Sequence, residues 1–95
     1  MPAYIIVHIN VTDPERYENY KALTPAAIEA FGGKFIVRGG EAETLEGPEE
    51  TRRVVVLEFP DKASAKSFYD SEQYQLAKKE REGAAEGTFV LVEGV

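Results

Sequence analysis

At 95 residues, with 17 acidic against 11 basic side chains and a net charge of −6, the chain is sized for one domain and lacks the basic footprint that nucleic acid requires. The same charge argues against docking on an anionic membrane, and no apolar run approaches the ~20 residues of a membrane span. There is no cysteine, hence no disulfide framework and no thiol chemistry.

The start, Met1-Pro2-Ala3-Tyr4, has neither the basic residues nor the apolar stretch of a signal peptide, which points to the cytoplasm. Tyr4 to Val11 alternates as a strand. Ile5, Val7, Ile9 and Val11 share one face, and Tyr4, Ile6, His8 and Asn10 the other. Thr12-Asp13-Pro14-Glu15 then opens a helix. Thr12 or Asp13 caps it, Pro14 takes the first helical position, and Glu15 sits at the positive end of the dipole. The helix runs to Phe31, with Tyr17, Tyr20, Thr24, Ala27, Ile28 and Phe31 on one stripe. Pro25 is expected to kink or split it, with Thr24 capping the second half. Gly32-Gly33 stops it.

Phe35 to Val37 or Arg38 is the second strand. It is expected to resume as Glu41 to Leu45, with Gly39-Gly40 forming a bulge or bend. Glu46-Gly47-Pro48-Glu49-Glu50 is the hairpin turn. Arg52 to Phe59 is the strongest strand, and its run Val54-Val55-Val56-Leu57 implies burial on both faces. Pro60-Asp61 opens the next helix. Ser71 caps a further one from about Glu72 to Glu82, which Gly83 ends. Thr88 to Glu93 is the last strand. The order βαββαβ predicts an α+β, ferredoxin-like sandwich whose helices cover one face of the sheet. Two strands are apolar on both faces, so a second copy is expected to pack sheet against sheet as a homodimer.

Four segments carry a resemblance: Tyr4–Pro14, the block Gly32-Gly33-Lys34-Phe35-Ile36-Val37-Arg38-Gly39-Gly40, the run Arg53–Pro60, and Ser71-Glu72-Gln73-Tyr74. Together they resemble the small bacterial proteins grouped as domain of unknown function 1330, over nearly the whole chain. That resemblance implies the dimeric α/β-barrel superfamily, in which two ferredoxin-like protomers pack sheet to sheet. Relatives there include cofactor-independent monooxygenases, muconolactone isomerase-like proteins and haem-binding enzymes. The resemblance passes on no catalytic residue.

The chemistry-bearing side chains are few. His8, the single histidine, is either a general base near neutrality or a structural imidazole hydrogen-bonded across the sheet. With no cysteine and no paired-histidine spacing, no metal is expected. No organic cofactor is expected either, since neither glycine pair has the spacing of a phosphate loop. If the hairpin turns near Gly47-Pro48, Arg38 faces Leu57 or Glu58, giving either a cross-strand ion pair or an anion site that Glu58 orients. Arg53, alternately placed, is expected to be solvated or at a dimer rim. Lys78-Lys79-Glu80-Arg81-Glu82 reads as a solvated helix face. Five tyrosines either fill the space between helices and sheet or line a pocket. A pocket formed by His8, Asn10, Tyr17, Tyr20, Arg38, Glu58 and Tyr69 would take a small ligand, with Arg38 holding an anion and His8 moving a proton. Two functions follow. One is a cofactor-independent enzyme, monooxygenase- or isomerase-like, acting on a small aromatic or carbonyl metabolite. The other is a non-catalytic ligand-binding or stress-related homodimer.

Overall fold

The computed structural model describes residues 1–95. The elements run β1 (Ala3–Val11), α1 (Pro14–Ala30), β2 (Lys34–Arg38), β3 (Arg53–Phe59), α2 (Lys62–Asp70), α3 (Glu72–Arg81) and β4 (Ala85–Glu93). The strands form one antiparallel sheet in the order β2-β3-β1-β4. This is the ferredoxin-like βαββαβ arrangement, with its second helix in two parts.

Alternation along the central strand fixes the two faces. Ala3, Ile5, Val7 and Ile9 are each at most 4% exposed, whereas the residues between them are not buried. The buried set packs against Tyr17, Tyr20, Ala27 and Ile28 of α1, Ala65 and Phe68 of α2, and Tyr74 and Ala77 of α3. All three helices therefore lie on one side. The other side is bare sheet, and Val90, Val92 and Val37 on it are 56%, 42% and 38% exposed. The molecule is a slab 34 × 32 × 16 Å.

Local signals account for the helix ends. The Asp13 carboxylate accepts the Arg16 N–H at 3.2 Å. Gly32, at φ +77°, supplies the left-handed turn that ends α1. Ser71 accepts the Tyr74 N–H at 3.0 Å while donating to the Phe68 carbonyl at 2.6 Å, so one hydroxyl closes α2 and opens α3. Pro25 does not split α1, and Thr24 does not cap a second helix. Proline has no N–H to give the carbonyl four residues back, which is Lys21. The buried Thr24 hydroxyl donates to that carbonyl instead, at 3.5 Å, and the helix continues.

The hairpin departs from expectation in two places. Its bulge lies at Ile36, not at Gly39-Gly40, because the register slips between Phe35 and Val37. The strand does not resume after the glycines either, and residues 39–52 form a long connection without strand. Thr44 accepts the Glu50 N–H at 2.8 Å inside it. The early bulge turns Val37 to the open face and Arg38 to the helix face, opposite Val55 rather than Leu57 or Glu58.

Thr24→Val should cost about 1 kcal/mol, because it leaves the Lys21 carbonyl without a donor at unchanged volume. Thr24→Ser should cost less. Urea unfolding midpoints of the two variants at equal m-value check this.

Candidate functional site

Two arginines on neighbouring strands share the helix face. Arg38 ends β2, and its guanidinium lies 4.2 Å from the centroid of the Phe35 ring. Arg53 opens β3 and alternates inward with Val55, Leu57 and Phe59. Its guanidinium covers the backbone of Gly39, where a Cβ would overlap it, and Gly39 also needs its positive φ of +70°. The Arg53 Nη2 reaches the Arg38 carbonyl at 3.4 Å, while its Nε is buried without a partner.

Behind the arginines a small cavity, about 40 Å³, lies between the sheet and α1 and α3. Val7, Ile9, Val55 and Leu57 form its floor, and Tyr17, Tyr20 and Tyr74 its roof. Tyr17 stacks on Tyr20 at 5.4 Å between centroids. The Tyr20 and Tyr74 hydroxyls are 2.9 Å apart and buried. Burial is the main cause that pushes both hydroxyls above the usual phenol range, and the Arg81 charge opposes it at each. Both phenols are therefore neutral near pH 7 and act as hydrogen-bond donors, not bases. The Arg81 guanidinium lies 4.5 Å from the Phe89 ring and 5.6 Å from the Tyr20 ring, with its Nε buried and unpaired.

The charge pattern around this space is one-sided. Arg16 and Arg52 stand within 4.0 Å of Glu80 and Glu50, but Arg38, Arg53 and Arg81 have no carboxylate partner. No aspartate, glutamate or histidine lines the cavity. No group of three or more histidine, aspartate or glutamate side chains is placed to hold a metal ion.

Of the residues expected to converge, the structure brings together Arg38, Tyr17 and Tyr20. His8 is on the opposite face of the sheet, between Val54 and Thr88, because it alternates with the buried Val7 and Ile9. It therefore does not share a side with Arg38. Asn10 is exposed on that same open face. Glu58 also faces that side and pairs with Lys34 at 3.6 Å, not with Arg38. Tyr69 stays on the helix side but lines a separate groove of about 290 Å³ with Ile5, Lys66, Phe89 and Leu91. Arg53 is half-buried and turned to the helix face, and its inward register with Val55 and Leu57 is the signal that marks it. Arg81 is not on a solvated face. It continues the buried stripe of Tyr74 and Ala77 along α3 at helical spacing.

Residues 2–95 match a family model described as Domain of unknown function (DUF1330). No curated protein matches the chain. Among solved structures it is similar to a protein of unknown function from Rhodopseudomonas palustris, with a TM-score of 0.77 at 22% identity, over 99% of this chain and 82% of that one. It is similar to SnoaB, a cofactor-independent oxygenase from Streptomyces nogalater, with a TM-score of 0.70 at 13% identity, over 99% and 93%. A dimeric ferredoxin-like protein of unknown function from Jannaschia sp. CCS1 gives a TM-score of 0.70 at 14% identity, over 99% and 100%. At these identities the likeness is one of fold.

On the open face, Glu50 takes a two-pronged bond from the Arg52 side chain, at 2.9 and 3.0 Å, and accepts the Arg52 backbone N–H. It also stands 3.7 Å from His8. The Arg52 side-chain bond is the largest cause holding the Glu50 carboxyl at about 2, below its ordinary 4.5. A lowered folded value means that this clasp stabilises the fold above the ordinary pKa and is lost as pH falls from 4.5 toward about 2. The Glu50 carboxyl carbon followed by NMR should titrate near 2, and Arg52→Gln, which removes the side-chain bond but keeps the backbone one, should raise it part of the way toward 4.5.

Proposed function

The chain belongs to the DUF1330 family, and on that premise we propose that it acts in the cytoplasm as a homodimer on a small aromatic or carbonyl-containing anion held between helices and sheet, without metal or organic cofactor. One observation carries this reading. In a chain with six more acidic than basic side chains, Arg38 and Arg53 face an apolar cavity and no carboxylate neutralises them. Two unpaired guanidiniums beside an apolar wall suit a planar oxyanion, which their forked donors match.

The same lining narrows the chemistry. It holds cations and neutral phenols but no base, so an isomerase-like proton abstraction lacks its first actor. The fitting substrate ionises by itself once the arginines stabilise its anion, as a phenol, a quinol or a β-dicarbonyl acid does. Direct reaction of such a bound anion with oxygen needs no protein base. This favours the oxygenase-like alternative, in keeping with the fold shared with SnoaB. The cavity, about 40 Å³, is far below the ~300 Å³ and more of ordinary ligand pockets. Lys21 and the exposed Arg38 line it on the solvent side, so a larger ligand would require these two side chains to turn outward. The small volume also supports the second reading, a non-catalytic ligand-binding or stress-related dimer.

Turnover of small phenols, quinols and β-dicarbonyl acids by chelator-treated protein tests the reading. Arg38→Ala and Arg53→Ala should each lower kcat/KM about a hundredfold. His8→Ala, on the other face, should leave it within about threefold. Binding without turnover across the panel would select the non-catalytic reading.

The dimer rests on the bare face of the sheet. Ile6, Val37, Val54, Val56 and Val90 stand there with no helix above them, and a similar slab from Jannaschia is described as dimeric. A second copy laid on this face would bury more than ~1,000 Å² in total, as stable pairs do. Light scattering at micromolar concentration should give twice the chain mass, and Val56→Lys with Val90→Lys should give one. A monomeric wild type would overturn the dimer.

A further inference from the structure

The reading above assigns the anionic end of a ligand to Arg38 and Arg53, and it leaves the opposite wall of the cavity without a role. We propose, resting on that reading, that the Tyr20–Tyr74 hydroxyl pair is a second recognition point, which donates a phenolic proton to a carbonyl or other neutral oxygen of the ligand, with Arg81 as its positioning residue. The ligand class becomes a small carboxylate or enolate that carries a further acceptor oxygen across an apolar body.

Proton counting carries the argument. Two hydroxyls hold two protons, and the single bond between them at 2.9 Å uses one. Neither hydroxyl has another acceptor among side chains or backbone, although Tyr20 is 8% and Tyr74 1% exposed. A buried donor left without a partner is costly, and structures keep such groups where something else completes them. Both tyrosines line the same cavity as the two arginines. A hydroxyl pair serving only to fill space would be better replaced by phenylalanine, the residue at the neighbouring core positions Phe59 and Phe68, which are both at most 2% exposed.

Arg81 adds direction. Its guanidinium is held between the Tyr20 and Phe89 rings and is matched by no carboxylate. A cation beside the pair polarises the hydroxyls and makes the spare proton a better donor. It acts through the tyrosines and does not line the cavity itself.

Calorimetric binding of two matched probe pairs tests this. Para-acetylbenzoate and para-isopropylbenzoate share a carboxylate and a shape but differ in the carbonyl oxygen, and levulinate with isocaproate repeats the comparison on a flexible chain. The wild-type protein should bind the carbonyl member of at least one pair about tenfold more tightly. The double variant Tyr20→Phe with Tyr74→Phe removes both protons with little change in volume. It should abolish that preference and leave the carbonyl-free probe bound as before. Arg53→Ala should instead weaken both members of a pair equally. Arg81→Met should reduce the preference and Arg81→Lys restore it, a rescue that a purely packing role would not show. A carbonyl preference that survives the double tyrosine variant would overturn the proposal while leaving the anion site intact. Failure of all four probes to bind at millimolar concentration would overturn both.

Discussion

The alternation along β1 governs the rest of the molecule. Ile5, Val7 and Ile9 go under the helices, so Ile6 and His8 must go to the other side, since successive side chains of a strand leave opposite faces. Because β1 lies between β3 and β4, the same choice is imposed on both neighbours through the register. Val55 and Leu57 follow Val7 and Ile5 inward, and Val54 and Val56 follow His8 and Ile6 outward. With all helices on one side, each face has a separate fate. The inner face closes a core around Phe59, Phe68 and Tyr74. The outer face keeps its valines uncovered.

Electrostatics repeats this division. On the outer face and in the long connection, charges meet their opposites: Lys34 with Glu58, and Arg52 with Glu50, which also stands 3.7 Å from the His8 ring. On the inner face Arg38 and Arg81 lie against aromatic rings and Arg53 against the Gly39 backbone, none with a counter-ion. Withdrawing a cation even partly from water without a carboxylate is unfavourable unless a ring face or a ligand compensates it. In a chain so rich in carboxylates, the absence of any near these three arginines is a feature of the fold and not a shortage of acid.

Much of this was legible in the residues, and what was not has a physical reason. Asp13, Pro14, Gly32 and Ser71 act within a few residues of themselves, so their caps and stops could be read locally. The alternation of β1 and the apolar run of β3 were also plain. The face of Arg38 was not, because it depends on one extra residue in a five-residue strand. A bulge at Ile36 leaves no composition signal, whereas Gly39-Gly40 suggests one falsely. Gly39 instead serves the arginine from the next strand, whose guanidinium occupies the space a Cβ would need, while Gly40 borders open space. The Tyr20–Tyr74 pair lies 54 residues apart in sequence, and only the packing of α3 on α1 joins it. Pro25 misled for a different reason: proline's missing donor was offset by the hydroxyl of the residue before it.

The two faces meet in β3, and this strand links the proposed dimer to the proposed site. Val54 and Val56 would lie in the interface while Arg53, Val55 and Leu57 form the cavity wall. Burial of one face already specifies the register of β3, because a one-residue slip would turn Val55 and Leu57 out of the core. Packing the second face as well would raise that penalty, since the same slip would then exchange arginine and valine between a core and an interface at once. Covering the outer valines would therefore hold Arg53 over Gly39 and beside Arg38. Its guanidinium needs that fixed placement, since it has only the Arg38 carbonyl, at 3.4 Å, to locate it. In a chain of 95 residues, whose core is correspondingly modest, a second copy on the other face would add to what holds the proposed site's geometry.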